Sequence, residues 1–212
     1  HPAIGVWQCH YRLRILGHHW NFKRVYRVYT RMGLNIRRRS RKRLPARVKQ
    51  ALVQPTAPDQ VWSIDFMHDT LWDGRSYRLL NVIDDYNRQI LWIEVDTSLP
   101  TLRVIRVLEA LRESRALPRM IRLDNGPEFI SHKLDAWCRQ HGVELHHIQP
   151  GKPTQNAYIE RFNGNMRREL LEANVFFTLD QVRARVAEWE HDFNYFRPHK
   201  ALGYRSPMQF QP

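Results

Sequence analysis

The sequence predicts an α/β protein, with a mixed five-stranded sheet and flanking helices, preceded by a small pair of helices. Three observations support this prediction. Apolar runs with strand-like alternation come first and are joined by turn residues. Strand-like and helical runs then alternate, and 42% hydrophobic residues in a chain of 212 are enough to fill a core. Such alternation is typical of a sheet covered by helices on both faces.

Two short helices are expected at the front of the chain. The first presents one apolar face and ends at Gly17, and the second begins with Asn21 as its N-cap and ends at Gly33. The apolar face of the first consists of Val6, Cys9, Leu13 and Leu16. The buried stripe of the second is expected to consist of Phe22, Val25, Tyr26, Tyr29 and Met32.

The second helix carries positive charge on the face opposite its apolar stripe. Two helices joined by a turn, the second with a basic ridge, match the helix-turn-helix geometry that places a helix in the major groove. Residues 1–36 are therefore predicted to be a DNA-binding segment with a truncated start. A plain helical hairpin with solvated basic side chains is the alternative. The ridge consists of Lys23, Arg24, Arg27 and Arg31.

Positive charge is concentrated in the first 60 residues. They contain 14 Lys and Arg and one acid, Asp59, whereas residues 61–212 contain 20 of each sign. Closely spaced positive charges repel one another and cannot pack together. Residues 37–60 are therefore predicted to be an arm or linker that follows DNA phosphates. A solvated tether without DNA contact is the alternative. The expected contacts are Arg37, Arg38, Arg39, Arg41, Lys42 and Arg43.

Three antiparallel strands are expected to open the balanced region. Residues 62–67 alternate as in a strand with one buried face, and Asp73-Gly74 supplies a hairpin turn. Residues 78–84 form a nearly continuous apolar strand, and residues 85–88 turn the chain into a third strand over 89–95.

Helices and strands are expected to alternate after the third strand. Thr101 is predicted to cap a helix whose buried face is Leu102, Ile105, Leu108 and Leu111. Strands over 120–123 and 143–148 flank a helix over 131–141. A helix with Ile159, Phe162, Met166 and Leu170 inside follows, and Thr178 and Gln181 form a capping box that opens the last helix.

The resulting order, β-β-β-α-β-α-β-α-α, is that of the ribonuclease-H-like fold. Residues 61–175 are predicted to form this core, and residues 176–212 a C-terminal helix and tail that pack on it.

Three carboxylates are expected to meet at one edge of this sheet. Asp65 lies inside the first strand, Asp124 follows the fourth, and Glu160 lies in the first turns of the next helix. Because an ionised carboxylate among apolar residues needs a compensating charge, the three are predicted to bind Mg²⁺ or Mn²⁺. Two such ions suit in-line phosphoryl transfer. Asp84 and Asp85 are assigned to a turn and Glu128 to the start of the following helix.

A loop with Pro150, Gly151 and Pro153 leads into the helix of Glu160. Its polar side chains and those of the helix are suited to hold a DNA backbone near the acids. An ordinary solvated helix face is the alternative. The residues expected to contact DNA here are Lys152, Gln155, Asn156, Arg161 and Arg167.

Several classes of protein are disfavoured. Cys9 and Cys138 are too few for a disulfide framework, and the histidines near Cys9 lack the paired spacing of a structural zinc site. No apolar run is long enough for a membrane span. The chain starts at His1, so we expect it to be a piece of a longer protein. With only two cysteines, a reducing cytosol is the expected compartment.

Four segments and one spacing carry a specific resemblance. Thirty-five residues separate Asp124 from Glu160. The segments are Trp62-Ser63-Ile64-Asp65-Phe66, Asp124-Asn125-Gly126-Pro127-Glu128-Phe129, Asn156-Ala157-Tyr158-Ile159-Glu160-Arg161-Phe162-Asn163-Gly164 and Tyr195-Phe196-Arg197-Pro198-His199-Lys200-Ala201-Leu202-Gly203. In all of these the chain resembles the catalytic subunit of bacterial insertion-sequence transposases with a retroviral-integrase-like core.

The resemblance implies cleavage of element ends by water and joining of the freed 3′-OH ends to target DNA, without a covalent protein intermediate. It makes Asp65, Asp124 and Glu160 the metal ligands. Because two ends are joined, a homo-oligomer on DNA is expected. Two alternatives stay open: a catalytically silent DNA-binding protein derived from a transposase, and a ribonuclease-H-like nuclease acting on RNA–DNA hybrids.

Overall fold

The computed structural model describes residues 4–35, 52, 54–149 and 153–210. The six basic residues predicted for the arm, Arg37 to Arg43, and Lys152 lie outside the described residues. The elements are α1 (Val6–Ile15), α2 (Phe22–Arg31), β1 (Val61–Thr70), β2 (Ser76–Asp84), β3 (Ile90–Asp96), α3 (Thr101–Ser114), β4 (Met120–Leu123), α4 (His132–Gln140), β5 (Glu144–His147), α5 (Ala157–Met166) and α6 (Leu179–Tyr195). A π-helical turn, Arg167–Leu171, continues α5.

The five strands form one mixed sheet in the order β3-β2-β1-β4-β5. β1, β2 and β3 are antiparallel neighbours, whereas β4 and β5 run parallel to β1. This confirms the predicted ribonuclease-H-like sheet, in which the first and fourth strands are adjacent. The register places Asp65 opposite Asn81 on β2 and Ser63 opposite Arg122 on β4.

Helices cover both faces of the sheet. α5, its π-helical turn and α6 pack on one face, where Phe162 and Trp189 meet Leu79 and Ile83. α3 and α4 pack on the other, where Leu108 and other apolar side chains of α3 and α4 meet those of β1, β2 and β4. The prediction that β1 buries only one face was wrong: Trp62, Ser63, Ile64 and Met67 are all buried. A central strand with helices on both sides has no solvated face.

The buried face of α3 overlaps the predicted one without matching it: Leu108 and Leu111 are buried and Ile105 is partly buried, but Leu102 is not. Pro100, not Thr101, is its N-cap, and Leu102 is 60% exposed. The buried residues are Val104, Val107, Leu108 and Leu111. Both sets of residues recur at helical spacing, so the choice between them is made by packing against the sheet.

The two front helices form where predicted, with Asn21 accepting a hydrogen bond from the backbone N–H of Lys23 at 2.8 Å. The predicted apolar faces are only partly buried. In α1 the buried residue is His10, and Leu16 is 50% exposed. In α2, Val25 and Tyr29 are buried, but Tyr26 and Met32 are 51% and 66% exposed, so that part of the predicted stripe was wrong.

The front helices contact the C-terminal part of the chain. The rings of Tyr11 and Tyr204 stack with their centroids 4.3 Å apart, and Arg12 forms an ion pair with Asp192 of α6. Within the described residues, no helix is long and apolar enough to cross a membrane.

Candidate active site

Asp65 lies at the middle of β1 and faces α5. The side-chain amide of Asn163, one turn after Glu160, donates a hydrogen bond to Asp65 Oδ2 at 2.7 Å. The backbone N–H of Phe66 donates to the other oxygen, Oδ1, at 2.8 Å. Both donors are neutral, so they orient the carboxylate without cancelling its charge.

Asn163 is itself oriented by a second amide. Asn81 Nδ2, on the strand beside Asp65, donates to Asn163 Oδ1 at 2.8 Å. Because the oxygen of Asn163 is engaged in this way, its NH₂ group must face Asp65. Neither role was predicted from the sequence, where Asn163 is only a polar flank residue of its helix. The signal for Asn81 was one polar residue within the buried run Leu79-Leu80-Asn81-Val82-Ile83.

Asp124 directly follows β4, the strand that runs parallel to β1. The loop that begins at Asp124 contacts its carboxylate. Asp124 Oδ1 accepts a hydrogen bond from the backbone N–H of Gly126 at 2.9 Å. A Cβ atom added at Gly126 would lie 3.0 Å from that same oxygen. The side-chain amide of Asn125 donates to the carbonyl of Ile148 at 2.9 Å and ties the loop to the end of β5. A side chain at position 126 would therefore push the carboxylate away by a few tenths of an ångström.

Glu160 lies in the first turn of α5 and its side chain is exposed. Partial burial raises the pKa of Glu160 above its ordinary value. Of the three predicted acids, Glu160 is the one on the open side.

The pKa of Asp65 reports on its neighbours. Burial, and next the Asp124 carboxylate, raise it to about 7; the Glu160 carboxylate also raises it, and the hydrogen bonds from Phe66 and Asn163 lower it. The three predicted acids therefore influence one another, with Asp124 acting on Asp65 more strongly than Glu160 does. Within the described residues, no Lys or Arg forms an ion pair with any of the three.

The donors fit a hard divalent cation. Carboxylate oxygens are the ligands that Mg²⁺ and Mn²⁺ prefer, and a half-buried carboxylate beside two others lacks the positive charge that such an ion supplies. In the described parts of the chain, no three His, Cys, Asp or Glu side chains are already drawn close enough together to enclose an ion.

The other predicted site residues differ in how much of each side chain is available to contact DNA. Lys23, Arg24, Arg27, Arg31 and Arg161 are exposed, as a contact with DNA requires. Arg167 instead donates to the carbonyl of His68 at 2.7 Å and pairs with Asp69 at 3.3 Å, so its guanidinium is used to hold α5 on β1. Asn156 is 2% exposed, so the prediction that it contacts DNA was wrong: its side chain offers no surface to a phosphate. Gln155 Oε1 accepts from the backbone N–H of Gln149 at 2.8 Å.

The acids that the sequence assigned to turns lie outside this site. Asp84 accepts hydrogen bonds from the backbone N–H groups of Asp59 and Tyr86, the ordinary use of Asp in a turn. Asp85 is buried against Ser63 and pairs with Arg122 at 2.5 Å, and burial raises the pKa of Asp85 to about 6.

Comparisons with known proteins identify the family and the fold of the chain. Two family profiles, both described as Integrase core domain, match residues 55–153 and 141–207. The chain is 44% identical to an uncharacterized 31.7 kDa protein of insertion element IS407 from Burkholderia multivorans, over 98% of this chain and 75% of that protein. It is 40% identical to an uncharacterized 39.2 kDa protein of insertion element IS476 from Xanthomonas euvesicatoria, over 99% of this chain but only 61% of that protein. The transposase of insertion sequence IS904 from Lactococcus lactis is 27% identical over 88% of the chain and 72% of its own length.

Two solved structures share the fold. The intasome of simian T-cell lymphotropic virus, in complex with the PP2A regulatory subunit B56 gamma, matches with a TM-score of 0.66 at 16% identity, over 94% of this chain and 69% of the matched chain. The integrase catalytic core domain of HTLV-2, in complex with magnesium, matches with a TM-score of 0.58 at 17% identity, over 74% of this chain and 99% of that one. At such low identity, these matches establish the fold alone.

Proposed function

Because this chain belongs to the insertion-sequence transposases that carry an integrase core domain, we propose that it cleaves the ends of its element and joins the freed 3′-OH ends to target DNA. Residues 61–175 would carry the chemistry, and α1 and α2 would bind DNA. The observation that supports this most is the Asp65 carboxylate, which is held by two neutral donors and, within the described residues, has no ion-pair partner, while burial and the Asp124 and Glu160 carboxylates raise its pKa. A largely buried carboxylate near other acids and without a counter-charge is costly unless a ligand supplies one.

Asp65, Asp124 and Glu160 would hold the divalent ions. Mg²⁺ or Mn²⁺ held by these residues, two ions in the usual case, would supply positive charge to the attacking and the leaving oxygen of a phosphodiester. The integrase core of HTLV-2 with the same fold was solved with magnesium.

The chain's own contribution is to orient these groups. Asn163, fixed by Asn81, aims one oxygen of Asp65, and the N–H of Gly126 holds one oxygen of Asp124. Glu160, on the open side, would complete the set as DNA arrives. Arg161 is the next residue along α5 and is exposed, so it is suited to contact a phosphate beside the acids.

The basic ridge of α2 and the arm after it would supply most of the affinity for DNA. Lysine and arginine on phosphates give binding that weakens as salt rises. Since joining two ends requires two of them to be held together, we propose a homo-oligomer on DNA. The HTLV-2 core of the same fold has been solved in trimeric and dimeric forms. The place of action would be the bacterial cytoplasm, on nucleoid DNA.

Three single substitutions test the proposal: Asp65→Asn, Asp124→Asn and Glu160→Gln. Each should abolish nicking and strand transfer of element-end DNA in Mg²⁺, because the amide has nearly the shape of the carboxylate that it replaces but lacks its negative charge. DNA binding should persist, since the basic front helices are untouched. Glu113→Gln, at an exposed acid of α3, is the matched control and should retain both activities. Binding without nicking by the wild-type protein would favour a DNA-binding protein without chemistry.

A further inference from the structure

Four side chains form a cluster on the face of the sheet opposite Asp65. Arg78 of β2 forms an ion pair with Glu128, and the Arg78 guanidinium lies over the ring of Phe66 at 4.4 Å from its centroid. The ring of Phe66 stacks on that of Phe129, with their centroids 4.9 Å apart. We call Phe66, Arg78, Glu128 and Phe129 the Arg78–Glu128 clamp. The hydroxyl of Thr101 also donates to the carbonyl of Glu128 at 2.8 Å.

The clamp connects the two segments that carry the aspartates. Phe66 directly follows Asp65 on β1, whereas Glu128 and Phe129 end the loop that begins at Asp124. Hydrogen bonds of the sheet hold β1 against β4 only as far as Ser63 and Arg122, so the register ends before either aspartate is reached. Beyond that point, the clamp is a side-chain contact that links the loop to β1 and β2.

The ion pair between Arg78 and Glu128 is partly shielded from solvent. The side chains of Arg78 and Glu128 are 31% and 20% exposed, and the guanidinium is covered on one side by an aromatic ring. The Arg78 hydrogen bond holds the pKa of Glu128 below its ordinary value. A planar guanidinium that is both stacked and paired has less freedom than one at an open surface, so it constrains its partner more closely.

We infer that Arg78 and Glu128 are positioning residues that set the separation of Asp65 and Asp124, an inference that rests on the proposed function. Neither residue needs to touch DNA or metal for this role. Loss of the pair would let the Asp124 loop shift, and the two carboxylates would no longer share an ion at its preferred distance. Residues that orient metal ligands typically change metal affinity or activity by about 10- to 100-fold when they are lost.

The test measures Mn²⁺ binding to the whole chain by electron paramagnetic resonance in the absence of DNA. Strand-transfer rates are measured in parallel. Glu128→Gln removes the charge at nearly constant shape and should raise the Mn²⁺ dissociation constant by about 10-fold or more. It should lower kcat at saturating DNA and leave KM for DNA unchanged. Arg78→Lys keeps the charge but loses the planar stack, and should weaken Mn²⁺ binding by a smaller factor.

Glu94→Gln is the matched control. Glu94, on the edge strand β3 of the same sheet, is 16% exposed and pairs with Arg103 and Arg106 of α3 at 2.9 and 3.0 Å. Its loss should lower the melting temperature to a similar degree and leave Mn²⁺ binding unchanged.

Each outcome bears on the inference. Weaker Mn²⁺ binding in Glu128→Gln than in Glu94→Gln, at equal melting temperature, supports it. Equal Mn²⁺ binding in Glu128→Gln and wild type overturns it while leaving the proposed function standing. If Glu128→Gln does not fold, Arg78→Lys decides, and wild-type Mn²⁺ affinity in that variant overturns the inference. A wild-type chain that binds no Mn²⁺ and cleaves no DNA overturns the proposed function itself, and the inference with it.

Discussion

Replacing Gly126 by alanine would place a methyl carbon 3.0 Å from Asp124 Oδ1, the oxygen that accepts the backbone hydrogen bond of Gly126 itself. Contacts of a Cβ atom below 3.4 Å are rare, so the carboxylate has to retreat by about 0.4 Å. The other neighbours of the added carbon, Glu128 Oε2 at 3.5 Å and Phe129 Cδ2 at 3.6 Å, are at ordinary contact distance. The perturbation is therefore confined to one predicted metal ligand.

The expected loss follows from this displacement. A misplacement of 1 Å in a reacting geometry can cost about 100-fold in rate, so a retreat of about 0.4 Å predicts a loss of about sixfold if the logarithm of the rate scales with distance. The assay is strand transfer of element-end DNA at saturating Mg²⁺, with DNA affinity measured in parallel by fluorescence anisotropy. Affinity should be unchanged because Gly126 lies far from the basic front helices in the chain.

Gly164→Ala provides the control. Gly164 lies within α5, four residues after Glu160, and a Cβ atom there meets nothing within 4 Å. Alanine should be neutral for activity and should stabilise the helix by up to about 1 kcal/mol. If Gly126→Ala retained the full strand-transfer rate, or if both alanine variants lost activity equally, the reasoning about the Asp124 loop would be refuted.

Three further predictions concern other parts of the molecule. Asn163→Ala removes the amide that aims Asp65 and should slow strand transfer by about 10-fold or more with DNA affinity intact; an unchanged rate would contradict the role of this amide. Glu190 borders a 340 Å³ cavity with Glu94, Asp96, Arg103 and Arg183, and burial raises the pKa of Glu190 from 4.5 to about 6. Ionising Glu190 thus destabilises the folded state by up to about 2 kcal/mol, and this cost is absent below about pH 4.5 and complete above about pH 6. Glu190→Gln should therefore raise the melting temperature at pH 7.5 but not at pH 4. An equal gain at both pH values would contradict this. Neutralising Lys23, Arg24, Arg27 and Arg31 should lower the slope of log affinity against log salt by about 0.9 for each DNA phosphate that the variant no longer binds, and an unchanged slope would exclude α2 from DNA binding.

The strand order was predictable from the sequence because it rests on local signals. Turn residues and apolar periods mark the elements, and adjacency of the first and fourth strands follows from topology. The choice of Asp65, Asp124 and Glu160 rests on their places along these elements and on the family resemblance, to which the spacing of 35 residues between Asp124 and Glu160 belongs, and their role as metal ligands stays a prediction.

Features that depend on register were not accessible. Asn81 is opposite Asp65 only because β1 and β2 pair in one register, and Arg167 reaches Asp69 only because α5 runs along β1. Asn156 reads as an ordinary polar loop residue, and only the packing of α5 shows that it is buried. Likewise, the predicted and observed faces of α3 share Leu108 and Leu111, and contact with the sheet buries Val104 rather than Leu102.

The Arg78–Glu128 clamp also could not be predicted from the sequence. Glu128 was assigned to the start of a helix, but its partner Arg78 lies 50 residues earlier on β2. Long-range ion pairs of this kind leave no periodic signal in the sequence.

The most direct test of the proposed metal site is a crystal structure of the protein on element-end DNA with Mn²⁺, in which anomalous scattering locates the ions. We expect one or two ions, about 3.5–4 Å apart if there are two, each within about 2.2 Å of oxygens from Asp65, Asp124 or Glu160. Ions bound elsewhere, or a DNA complex in which the three carboxylates hold none, would contradict the assignment of these acids.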